Sequence, residues 1–70
     1  MSLYISARRK FIASLTAQGI DDIRAHEFTR LWEYEANRRQ LAHLAPGFWH
    51  KGREFVDALL ERERLTLVGD

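Results

Sequence analysis

The sequence predicts an all-α domain, a three-helix bundle built on a long helical hairpin and followed by a short apolar C-terminal tail. Three observations carry this. Apolar residues recur at three- and four-residue spacing in three separate stretches, the period of a helix with one buried face. A stop-and-start signal, Gln18-Gly19-Ile20-Asp21-Asp22, separates the first stretch from the second. Pro46 then separates the second from the third, because a residue before proline avoids helical ψ.

The first helix is expected from Tyr4 or Ser6 to Gln18, with Phe11, Ile12 and Leu15 inward, Arg8 near their edge and Ser6 as a cap. Met1-Ser2-Leu3 reads as a leader outside the fold. Gly19 suits the left-handed residue that closes a helix, Ile20 the apolar residue after it, and Asp21-Asp22 the acidic start of the next. The second helix, expected from Asp22 to His43, places Ile23, Phe28, Leu31, Trp32, Tyr34, Leu41 and Ala42 on a broad apolar face. Arg24, Glu27, Glu35 and Arg38 interrupt that face. In the third helix, expected from Pro46 to Arg64 with proline at its first position, Phe48, Gly52, Phe55, Val56, Leu59, Leu60 and Glu63 share one side. Gly52 leaves a gap in that side, wide enough for close approach of a helix or of a bulky residue such as Trp32. Leu65 to Val68 form the apolar tail, and residues 4–65 the core of one domain spanning 1–70.

Composition narrows the function. With 70 residues, a lone chain buries only roughly 60% of its unfolded surface. The absence of cysteine removes disulfides and thiolate zinc sites as reinforcement, so packing or a partner must serve instead. The net charge is +1, with acids and bases interleaved along the chain, which offers little long-range pull on nucleic acid or anionic lipid. No run approaches the roughly 18 apolar residues of a membrane span, and a cytoplasmic setting is expected.

Chemistry-bearing patterns are sparse. His26, His43 and His50 have neither the four-residue spacing nor the acidic companions of a helical metal site. Ser14 has no evident base, and Gly47 and Gly52 match no phosphate-binding loop. No catalytic residue, cofactor, metal or small-molecule substrate is therefore expected.

Binding is the better reading, most simply to a second copy or another protein. Glu27, Trp32, Tyr34, Arg38, Phe48, Trp49, Phe55 and Leu59 are the expected contact residues, although Trp32 and Phe48 also suit the core. Glu27 and Arg38, eleven residues apart, lie on almost one line of the helix with Leu31 and Tyr34 between them. Too distant to pair within a helix, they suit an antiparallel two-fold contact. Nucleic acid is the alternative partner, through Arg8, Arg9, Lys10 and Arg38, provided that these share one exposed surface.

The string Leu31-Trp32-Glu33-Tyr34-Glu35-Ala36-Asn37-Arg38-Arg39, followed by Pro46-Gly47-Phe48-Trp49 and Gly52, resembles a pattern in short uncharacterised helical proteins of actinobacteria and their phages. The resemblance covers most of the chain from Phe11 to Phe55. It implies a compact helical domain of a bacterial or phage cytoplasm and transfers no activity or catalytic residue.

Overall fold

Three helices, α1 (Leu3–Ala17), α2 (Asp22–Arg38) and α3 (Phe48–Val68), make up the computed structural model, which describes residues 3–68 and leaves the side chains of Leu67 and Val68 undescribed. All three touch one another, as the all-α bundle requires. α1 starts at Leu3, so that residue belongs to the fold and Ser6 lies inside the helix instead of capping it. Met1 and Ser2, the rest of the expected leader, lie outside the described residues.

The junction between α1 and α2 follows its local signals. Gly19 has φ +99°, its N–H donates to the Thr16 carbonyl at 3.0 Å and that of Ile20 to the Leu15 carbonyl at 3.2 Å. This is a Schellman closure, with Ile20 packed on the core cluster that contains Leu15. Asp21 then caps α2, its carboxylate accepting from the Ile23 N–H at 3.1 Å.

α2 ends at Arg38, five residues before the expected His43. Gln40 takes the left-handed conformation at φ 61°, its N–H donates to the Asn37 carbonyl, and that of Leu41 to the Ala36 carbonyl. This second Schellman closure turns Leu41 back onto Trp32, Ala36 and Phe48. A continued helix would place Leu41, nine residues after Trp32, on the opposite side of α2 from it. The hairpin is correspondingly shorter, and its connection longer, than the sequence suggests. Pro46 is not in α3 either: Ala45, Pro46, Gly47 and Phe48 form a turn closed by the Phe48 N–H on the Ala45 carbonyl, with Gly47 at φ +79°. Proline before a positive-φ glycine is the type II arrangement. The expected apolar tail is the last turn of α3, which is helical through Val68, and Leu65 is 58% exposed there.

The core has two parts. Phe11, Leu15, Ala25, Phe28 and Val56 form one, and Trp32, Ala36 and Phe48 the other, with Trp49 and Phe55 packed against both. Trp32 is completely buried between α2 and α3, its ring 5.3 Å from Phe48 and 5.6 Å from Phe55. It occupies the gap left by Gly52: a Cβ on that glycine would stand 2.7 Å from Trp32 Cδ1 and Nε1. The indole N–H is buried without a hydrogen-bond partner, at a cost of about 1–3 kcal/mol. Burying an indole contributes roughly 4–6 kcal/mol, so packing prevails. The one buried residue with a polar side chain among the described residues, Thr29, donates to the Ala25 carbonyl at 2.7 Å and carries no such penalty.

Two substitutions test these geometries by chemical denaturation. Gly52→Ala gains up to about 1 kcal/mol of helix propensity but overpacks against Trp32, and a net loss of about 1–3 kcal/mol is expected. In a Trp32→Leu background the same change costs less, a coupling that a double-mutant cycle reads directly. Gln40→Gly relieves the left-handed conformation and is expected to stabilise the chain by up to about 1 kcal/mol.

Candidate functional site

Helix α2 has two sides in contact with its neighbours and one outer side. Ala25, Phe28, Thr29, Trp32 and Ala36 are buried inward. The outer side carries Glu27, Leu31, Tyr34 and Arg38, with Leu31 48% and Tyr34 70% exposed although both are large and mostly apolar. Ile23, 69% exposed, extends this surface toward the start of the helix. It continues into a shallow groove of about 580 Å³ between α2 and α3, floored by Phe28, Leu31 and Leu59 and rimmed by Arg24, Arg62 and Glu63.

The expected contact residues therefore divide. Glu27, Tyr34 and Arg38 share the outer side of α2, and Leu59 reaches its edge through the groove. Trp32 and Phe48 are buried within the chain's own core, so a partner cannot touch them while the bundle is closed. Trp49 is held among Tyr4, Phe11 and Phe48 at centroid distances of 5.5, 4.9 and 5.0 Å, and half-buried Phe55 packs on Trp32. These two serve the interior more than the surface.

Charge around α2 is arranged locally. Glu35 accepts from Arg38 Nε and Nη2, both at 3.0 Å, and from Arg39 Nε at 2.7 Å. The Arg38 and Arg39 hydrogen bonds hold its carboxyl at about 2, well below its ordinary 4.5. One carboxylate thus serves two guanidinium groups. Arg24, which interrupts the apolar face in the sequence, pairs with Glu63 of α3 and lies 4.8 Å over the Phe28 ring.

The basic residues of the alternative reading do not assemble into one patch. Arg8 turns to α2, where its Nε donates to Glu33 Oε2 at 2.9 Å, and this bond raises its pKa. Arg9 is exposed, and Lys10 lines a separate groove between α1 and α3 with Trp49, His50 and Arg53. Consecutive helical residues step by about 100°, so Arg8 and Lys10 fall on opposite flanks of α1. Arg38 is engaged by Glu35 on α2.

Sequence reasoning missed one polar constellation. The Tyr4 hydroxyl donates to the same Glu33 Oε2 that receives Arg8, and His43 stands edge-on to the Tyr4 ring with centroids 4.8 Å apart. A small cavity of about 190 Å³ adjoins them, also lined by Asn37, Leu41 and Phe48. Glu33 lies 29 residues from Tyr4, and no local pattern signals the pairing. Burial first, then the Glu33 hydrogen bond and charge, push the Tyr4 hydroxyl well above its ordinary 10.0. The constellation ties α1 to α2. His26 bonds the Asp22 carbonyl within α2, and Ser14 bonds the Phe11 carbonyl within α1. Among the described residues no three His, Cys, Asp or Glu side chains gather as a metal site, and no helix is long and apolar enough to cross a membrane.

Comparison with protein-family models, curated proteins and solved structures yields no match to this chain.

The Tyr4 arrangement makes a pH prediction with a definite sign. The folded chain holds the proton more tightly than the unfolded one, so the stabilisation is complete below pH 10 and declines as pH rises beyond it. In denaturant titrations from pH 9 to 11.5, Tyr4→Phe is expected to lose stability less steeply than the wild-type chain.

Proposed function

We propose that this chain is a small, non-catalytic helical interaction module that self-associates through the outer side of α2. The observation that carries this reading is the exposure of Leu31 and Tyr34 on one helix whose inward positions are already filled. Large apolar side chains grouped on an exposed surface lose contact with water when a partner covers them, whereas scattered ones need no explanation. The size of the chain favours the same conclusion, because a 70-residue domain gains proportionately from any added apolar burial. A cytoplasmic setting in a bacterium or phage, implied by the resemblance in residues 31–52, belongs to this reading.

Apolar association and phosphate binding differ in their response to salt. Covering Leu31 and Tyr34 is little affected by ionic strength, whereas phosphate contacts weaken steeply with it. Sedimentation velocity over a hundredfold range of protein concentration is expected to give a dimer in both 20 mM and 500 mM salt. Leu31→Asp or Tyr34→Asp is expected to weaken that dimer at least tenfold, because a carboxylate in an apolar contact costs more than about 1.4 kcal/mol. Circular dichroism should stay helical for both, and the melting midpoint of the monomer should change little for Tyr34→Asp, whose side chain is 70% exposed, and fall modestly for Leu31→Asp, which loses packing on the groove floor. A monomer at every concentration, or dimers indifferent to both substitutions, overturns the reading.

A further inference from the structure

The outer side of α2 carries a pattern that its own bundle does not use. Glu27, Leu31, Tyr34 and Arg38 follow at intervals of four, three and four residues. This spacing draws a single narrow stripe along a helix, the stripe that faces a partner in a coiled-coil contact. Both charged ends are exposed, and so are both apolar residues between them. The stripe reads acid, apolar, apolar, base. Its centre falls between Trp32 and Glu33, with Leu31 and Tyr34 equally distant from that point and Glu27 and Arg38 likewise. Reversed end for end about the centre, it is its own complement.

We propose that two copies of α2 pack antiparallel across a two-fold axis passing between Trp32 and Glu33, so that Glu27 of each copy meets Arg38 of the other and Leu31 meets Tyr34. The proposal rests on the reading of this surface as a self-association site and specifies its register and orientation. The two ends of the stripe lie about 16 Å apart along the helix axis. In a parallel, in-register pair Glu27 would face Glu27 and Arg38 would face Arg38, two like-charge contacts. The antiparallel pair replaces them with two attractive ones and also sets the helix dipoles head to tail.

The charges within one chain suit this exchange. Glu27 forms no hydrogen bond and no ion pair within 4 Å among the described residues; its charge interacts with that of Arg24 on the same helix, which is itself bonded to Glu63. At the other end Glu35 serves both Arg38 and Arg39, leaving an excess positive charge. Arg38 can turn to Glu27 of a second copy while Arg39, at 2.7 Å, keeps Glu35 partnered. The acceptor without a hydrogen-bonded donor and the donor in surplus thus occupy symmetry-related positions of the stripe.

Charge reversal tests the register on the full chain by sedimentation equilibrium in 20 mM salt. Glu27→Arg places two arginines together at each end of the antiparallel dimer, and Arg38→Glu places two glutamates there. Each is expected to raise the dimer dissociation constant about tenfold or more. The double variant Glu27→Arg/Arg38→Glu restores opposite charges and is expected to return to within threefold of wild type. An equimolar mixture of the two single variants is expected to form a heterodimer tighter than either variant alone, which distinguishes lost attraction from lost folding. In 500 mM salt the single variants should approach wild type as the charges are screened. Single variants that dimerise as tightly as wild type, or a double variant no tighter than the singles, overturn the register while leaving association through Leu31 and Tyr34 standing. A wild-type chain that stays monomeric, or a dimer indifferent to Leu31→Asp and Tyr34→Asp, overturns the underlying reading as well.

Discussion

The contact between Trp32 and Gly52 is the constraint on which the arrangement of the other helices depends. A full indole between two helices ordinarily holds them apart. Here the missing Cβ of Gly52 admits it, and the ring lies flush against α3 with Phe48 and Phe55 on either side. Those two aromatics, four residues before the glycine and three after it, sit on the same face of α3 and close the slot around the indole. Trp49, next to Phe48 on α3, packs against Phe11 and Tyr4 and so joins α1 to the same centre. The unpartnered indole N–H marks how strongly packing outweighs hydrogen bonding at this point.

Charged residues seal the edges of this apolar centre. Arg24 and Glu63 join α2 to α3, and Tyr4, Arg8 and Glu33 join α1 to α2. Long side chains do this with their stems against apolar neighbours and their ends at the surface, so an arginine inside an apolar helical pattern need not be a defect. Arg53 does the same between α3 and α1, reaching Ser14 and Gln18. Glu27 stands apart from this pattern. Arg8, Arg24 and Glu63 thus cross between helices, Glu35 is partnered by Arg38 and Arg39 within α2, and Glu27 is exposed on the outer side of that helix.

Much of the architecture was legible because its signals are local. Gly19 followed by Ile20 specifies a helix closure through backbone geometry, and Asp21 specifies a helix start through a hydrogen bond to a residue two positions on. The end of α2 had no such signal. Gln40 adopts a conformation usually left to glycine or asparagine, because the chain recovers the strain by seating Leu41 on Trp32, Ala36 and Phe48. Pro46 carries two compatible meanings, first residue of a helix or second residue of a turn, and Gly47 at positive φ selects the turn.

For this protein the sequence by itself determined the number of helices and the inward faces of α1 and α3, and it offered Trp32 as one occupant of the gap at Gly52, since periodicity and volume are properties of neighbouring residues. The expected face of α2 was misplaced, because Ile23, Leu31 and Tyr34 are exposed and Ala25, Thr29 and Ala36 are buried instead. The sequence also brought Glu27, Tyr34 and Arg38 onto one side of a helix. Only the tertiary structure decided which aromatics are consumed by the core, as Trp32, Phe48 and Trp49 are, and which remain outside, as Tyr34 does. It alone decided that Arg8 belongs to Glu33 and Arg24 to Glu63. The reason is rotational: each amphipathic helix can turn about its axis by a fraction of a step, and only contact among all three helices settles which edge residues face inward, toward a neighbour or toward solvent.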